Sequence, residues 1–221
     1  VSALRLYEAQ SVLGDFQYLY DDIILVLPLA ILMCYTEPWP KLSRRAPTSS
    51  LFNGRIMVSL ISSMVLHVGM IVGINIYTKQ QSWYVANDNE GDKLDDSVKC
   101  YENFVTFTFA NFCYVSTAVS FNTSKPFRKN IWTNIWFTLY LIVGWVLSSL
   151  ILLLPKNLSM LDIDQDTPHS FRIQLFIAAW ATMFVAIVIE NIFIEGFIGN
   201  WFSKIFKRKK IAHYNNNNPQ L

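Results

Sequence analysis

Residues 16–35 read FQYLYDDIILVLPLAILMCY, and the length of their apolar part decides the fold. The uninterrupted apolar run, Ile23 to Cys34, holds twelve residues. At about 1.5 Å per residue it reaches roughly 18 Å as a helix. A bilayer hydrocarbon core is about 30 Å thick. To cross it, the helix must take in Phe16, Gln17, Tyr18, Leu19, Tyr20, Asp21 and Asp22, which carries two carboxylates below the lipid surface; otherwise the segment does not span. Pro28 lies in its interior and predicts a kink, because proline lacks an N–H and crowds the carbonyl four residues back.

The rest of the chain repeats the pattern with a single carboxylate, Glu190, inside the remaining blocks. Hydrophobic residues make up 52% of the 221 residues and charged residues 15%, against roughly 25% charged in an ordinary soluble domain. The apolar residues gather in blocks long enough for a bilayer, with charges between them: Ile56 to Tyr77 with His67 inside, Phe104 to Phe121, Ile135 to Leu154, and Ile173 to about Ile194 with Glu190 near its end. The third block is rich in Thr106, Thr108, Ser116 and Ser120, side chains that suit a helix packed against other helices. The fold class expected is all-α, a polytopic membrane protein of about five spans (residues 16–35, 56–77, 104–121, 135–154 and 173–194) within a membrane domain at 1–198. A basic and then Asn-rich tail follows at 199–221.

The loops alternate in charge. Thr36 to Arg55 holds Lys41, Arg44, Arg45 and Arg55 against Glu37 alone; Asn122 to Asn134 holds Lys125, Arg128 and Lys129; the tail holds Lys204 and Lys207 to Lys210. The other two loops are acidic, with Asp162, Asp164 and Asp166 in the second. Basic loops stay in the cytosol, so the expected topology has the N-terminus outside or lumenal and the C-terminus cytosolic. The net charge of +2 is no argument for nucleic acid, and no nucleic-acid partner is expected. The three aspartates stand at alternate positions, but Pro168 and His169 follow where a calcium loop needs glycine, so a solvated acidic loop is the reading. Asn157 opens a glycosylation sequon on the outer side. Cys34, Cys100 and Cys113 have no ligand spacing and read as unpaired thiols. No cleavable leader is visible in the first residues, and the expectation is a part of something longer.

No Ser-His-Asp set, metal-ligand set or phosphate-binding glycine loop is present, so no catalytic residue is assigned. The chemistry-bearing residues are those of the first helix. Asp15, Tyr18 and Asp22 are spaced i, i+3 and i+7 and share a face, while Gln17 and Asp21 form a neighbouring i, i+4 pair. Carboxylates beside aromatic rings suit an ammonium ion, through charge pairing and the ring quadrupole. The competing reading keeps Asp15, Asp21 and Asp22 at the outer interface among belt tyrosines. His67 reads as a packing residue, and Glu190 and Glu195 as partners of the basic tail.

Several strings together resemble one family. Gly14-Asp15-Phe16-Gln17-Tyr18-Leu19 is similar to the start of the sixth membrane helix of the polyamine-transporting P-type ATPases of the fifth class, subgroup B. Arg45-Ala46-Pro47, Ser82-Trp83-Tyr84, Tyr101-Glu102-Asn103 and Lys125-Pro126-Phe127-Arg128 follow in the family's order. Asn111-Phe112-Cys113-Tyr114 resembles a further element, with Cys113 where glutamine is usual. The resemblance implies the C-terminal membrane part of such a transporter, family helices six to ten, in a vacuolar, lysosomal or late endosomal membrane. It implies that Asp22 and Tyr18 face the substrate, a polyamine or other organic cation. The family residue before that aspartate is apolar, so Asp21 leaves open which carboxylate faces the ligand. The family's phosphorylated segment, phosphatase loop and hinge are not in these residues. The chain thus holds no cofactor of its own; ATP and Mg belong to the missing cytosolic domains, and the partners implied are the bilayer, the missing helices and the motor. The alternative is a non-enzymatic membrane scaffold or regulatory protein derived from such a transporter, told apart by the reading frame upstream of Val1.

Overall fold

The computed structural model describes residues 6, 11, 13–41, 54–85, 100–122, 127–154, 161, 163 and 167–191, the side chain at 55 excepted. The tail 199–221, Glu195, the aspartates at 162, 164 and 166, the sequon at 157, and Arg44, Arg45 and Lys125 lie outside the described residues. The described residues are all-α, apart from one isolated antiparallel bridge between Pro38 and Arg128.

Helix α1 runs Asp15–Cys34. Its first turn, Asp15–Leu19, starts after extended Gly14. The Gly14 N–H donates to Gln17 Oε1 at 3.3 Å, one half of a capping box. Asp15 puts negative charge on the positive end of the helix dipole. Tyr20–Val26 is then wound as a π-helix, and Leu27–Cys34 returns to α. The wide turn sits where Pro28 predicts trouble. The Leu27 N–H reaches back five residues to the Asp22 carbonyl. Pro28 has no N–H to give the Ile24 carbonyl, and the Tyr140 hydroxyl donates to that carbonyl instead. A chain interruption is thereby absorbed as a π turn with an outside donor.

Helix α2 is Gly54–Lys79, α3 Tyr101–Ser120, α4 Ile135–Leu153 and α5 His169–Val188, with a π turn carrying α5 on to 191. Four of these five are long and apolar enough to cross a membrane: Asp15–Cys34, Ile56–Lys79, Ile135–Leu153 and His169–Asn191. Their outer faces carry residues such as Val65, Trp136, Ile177 and Phe184, all strongly exposed. The chain is an all-α polytopic membrane protein. Helix α3 is the exception in composition, and its place explains it: α3 packs against all four others and is buried along most of its length. A helix surrounded by protein need not be greasy. Its hydroxyls bond locally, Thr108 Oγ1 to the Phe104 carbonyl at 2.6 Å and Thr117 Oγ1 to the Cys113 carbonyl at 2.8 Å, and Thr106 meets Asn75 of α2 at 3.1 Å.

Aromatic rings fill the middle of the bundle. Phe112 of α3 stands edge-on to Trp145 of α4 at 4.9 Å, and Trp145 to Trp180 of α5 at 4.8 Å. Gly144 permits the close approach of α4, since a Cβ there would lie 3.3 Å from Leu25 Cδ1 and 3.4 Å from Val115 Cγ2. Two loops are tied at one end. The Trp39 N–H donates to the Phe127 carbonyl and the Lys129 N–H to the Glu37 carbonyl, each at 2.9 Å, and Lys129 pairs with the Glu37 carboxylate. Asn134 caps α4 by accepting from the Phe137 N–H at 3.1 Å, while its amide donates to the Leu32 carbonyl of α1 at 2.7 Å. The three cysteines are free thiols, and Cys100 caps α3 by accepting from the Asn103 N–H at 3.3 Å.

Candidate functional site

The residues that point into the bundle from α1 follow a step of four: Gln17, Asp21, Leu25 and Leu29 are all buried. On a straight α-helix each step of four drifts about 40° around the axis, since each residue turns about 100°. Three such steps would carry Leu29 well off the face that Gln17 occupies. The π turn at Tyr20–Val26 holds more residues per turn and keeps the stripe on one side.

That winding separates the two adjacent aspartates. Asp21 is 6% exposed and points inward. Asp22 is exposed, as are Asp15 and Tyr18. The i, i+3, i+7 set of Asp15, Tyr18 and Asp22 thus falls on exposed positions of α1. Gln17 and Asp21 do share the opposite face, but Gln17 is occupied there: it is fully buried, and its Nε2 donates to the Leu161 carbonyl at 2.6 Å while Oε1 accepts from Gly14. It anchors the top of α1 to the α4–α5 connection.

On the inward side, Asp21 Oδ1 has no hydrogen-bond partner, nor does the hydroxyl of Tyr20. Tyr20 packs edge-on against Phe107 of α3 at 6.0 Å. Phe107, Asn111 and Tyr114 fall at i, i+4 and i+7 on α3 and so form one stripe. Tyr114 lies within range of the Asp21 and Asp22 charges. Asn111 is fully buried, and neither atom of its amide has a partner. In the sequence Asn111 stands out only within the string Asn111-Phe112-Cys113-Tyr114, yet an amide within a membrane-length block is itself a signal of a site. No group of three metal-ligating side chains occurs among the described residues. The exposed positions of α1 thus carry two carboxylates, Asp15 and Asp22, and one phenol, Tyr18.

These features define a class: an integral membrane segment of packed helices, one of which carries acids at exposed positions. No family model matches the chain. Among curated proteins it is 28% identical over 215 residues to polyamine-transporting ATPase 13A3 of Macaca fascicularis, covering 86% of this chain and 17% of that one. It is 30% identical over 205 residues to the vacuolar cation-transporting ATPase YPK9 of Saccharomyces cerevisiae, covering 93% and 14%. To human polyamine-transporting ATPase 13A2 it is 30% identical over 193 residues, covering 87% and 16%. The chain belongs to the P-type 13A polyamine- and cation-transporting ATPases. It spans only 14% to 17% of the length of these three relatives.

Proposed function

We propose that this chain is the C-terminal transmembrane support and substrate-pathway segment of an ATP-driven transporter of polyamines or other organic cations. The observation that carries the reading is the split of α1. Its period-four stripe is packed into the bundle, while Asp15, Tyr18 and Asp22 are exposed. An ionised aspartate facing lipid costs a few kcal/mol or more, so such positions belong against a pathway or against further helices. Asp22 with Tyr18 one turn before it would pair with one ammonium group of the ligand, and Asp15 would extend the acidic track. Asp21, turned inward, is not in the first rank of ligand contacts; it would act from behind, through Tyr20 and the α3 stripe.

Under this reading α3 crosses the membrane as well, giving five spans. The alternation of basic and acidic loops then supports a lumenal N-terminus and a cytosolic C-terminus. ATP, Mg and the phosphorylation chemistry would reside in other parts of the full-length protein. The yeast relative is named as vacuolar, which supports an acidic-organelle membrane: vacuole, lysosome or late endosome.

The test is made in the full-length protein that carries this segment. Asp22→Asn should raise the polyamine concentration for half-maximal ATPase stimulation by about tenfold, the equivalent of about 1.4 kcal/mol of lost pairing. Wild-type stimulation in that variant would remove Asp22 from the pathway.

A further inference from the structure

Three carboxyls are buried among the described residues: Asp21, Glu102 and Glu190. Two of them have a partner in place. Glu190 Oε2 accepts from the Ser59 hydroxyl of α2 at 2.6 Å, so a glutamate that sequence reading had placed with the basic tail is turned into the bundle instead. Glu102 accepts from the Tyr84 hydroxyl and lies 3.8 Å from Lys79 Nζ. Asp21 differs. Its Oδ1 has no donor, and the charge that acts on it is that of Asp22, of the same sign.

The helices chiefly packed against α1 are α3 and α4, and neither carries a lysine, arginine or histidine. From α3 the ionisable side chain in range is the Tyr114 phenol, beside the Cys113 thiol. From α4 the Tyr140 hydroxyl is taken by the Ile24 carbonyl, and that of Ser148 by the Gly144 carbonyl at 2.8 Å.

Asn111 of α3 stands at the level of Asp21. Tyr20 meets Phe107, one turn before Asn111, while Leu25 and Val115, one turn after it, both crowd Gly144. Asp21 lies between Tyr20 and Leu25 on α1. Asn111 is fully buried, and its Nδ2 and Oδ1 are as unpartnered as Asp21 Oδ1. Counting donors decides what this pair can hold. The amide offers N–H donors and one acceptor oxygen, while an ionised carboxylate only accepts. Ionised Asp21 can take one N–H from Asn111, but Asn111 Oδ1 is then still without a donor and a charge is left unneutralised away from water. A protonated carboxyl matches the amide at both ends: its O–H donates to Asn111 Oδ1, and its other oxygen accepts from Nδ2.

We infer that Asp21 and Asn111 form a proton-binding site between α1 and α3. One proton passes from water to the carboxylate, which becomes a neutral acid, and rotation of the two side chains joins the acid to the amide. Uptake thereby tightens the contact between α1 and α3. Without the proton the enclosed oxygen stays unanswered, and that is the cost an apolar replacement relieves. The site does not depend on what Asp22 binds.

The test is infrared spectroscopy of the full chain in lipid nanodiscs as pH is varied from mildly alkaline to mildly acidic. Wild type minus Asp21→Asn should show the carbonyl stretch of a protonated carboxyl, growing as pH falls. Asn111→Leu should keep that band but move it to higher frequency, because the acid carbonyl loses its N–H donor. If Asn111→Leu lacks a cooperative unfolding transition, Asn111→Ala makes the same comparison with less volume. The inference is overturned if the difference spectrum holds no carboxylic-acid band at any pH, which would leave Asp21 ionised throughout. It is equally overturned if a folded Asn111 variant leaves the band where wild type has it.

Discussion

Asp21 and Asp22 are neighbours in the chain and have opposite surroundings. Asp22 is exposed, while Asp21 has one carboxylate oxygen enclosed with no donor. An enclosed polar atom left unpaired costs about 1–3 kcal/mol, so a residue kept there without structural need points to a role. Asp21→Leu is expected to raise the thermal unfolding midpoint of the purified chain, by the few degrees that such a cost represents. A clear fall would mean that a donor reaches Asp21 in the working protein. Gln17 behaves in the other sense. Its spacing in the sequence marked it as a possible ligand contact, yet both ends of its amide hold the backbone at Gly14 and Leu161. Spacing alone could not separate these two residues, because both lie on the same inward stripe. What distinguishes them is a carbonyl contributed from residue 161, far along the chain.

At the scale of the element, the π turn of α1 depends on two partners that are distant in sequence. Pro28 removes the donor for the Ile24 carbonyl, and Tyr140 of α4 replaces it. Tyr140→Phe should leave that carbonyl unpaired and cost about 1–2 kcal/mol. In a Pro28→Ala background an N–H is again available, so the same Tyr140→Phe change should cost much less. The double-mutant cycle on unfolding free energy should therefore show coupling; additive effects would mean the hydroxyl does nothing for α1. Pro28 announced an interruption in the sequence, and the interruption is there. Its form was not legible, because a kink and a π turn differ in whether a neighbour supplies the missing donor. Helix α3 teaches the converse. Its hydroxyls and amides were readable as the mark of a packed helix, and it is the one that all others surround.

Across the whole molecule, the loop after α1 and the loop before α4 are held by the Pro38–Arg128 bridge and the Glu37–Lys129 pair. The hydrogen bond and charge of Lys129 hold the Glu37 carboxyl below its ordinary range. A lowered folded-state value means that the contribution is whole above the ordinary glutamate value of about 4.3 and fades as pH falls through the lowered one. Hydrogen exchange at the Trp39 and Lys129 amides should therefore quicken, relative to intrinsic rates, as pH is lowered through that window, and Lys129→Ala should show the quickened exchange already at neutral pH. An exchange ratio that stays flat with pH would place the clamp in the backbone bonds alone. The sequence by itself determined that this chain is a set of membrane-length helices with charge kept mostly to the loops and the first helix, because apolar length and the cost of burying charge act on each segment independently. Only the tertiary structure decided which aspartate faces inward, what completes the broken turn at Pro28, and where Glu190 goes. Those outcomes depend on donors and cavities contributed by other helices, and no local pattern encodes which neighbour arrives.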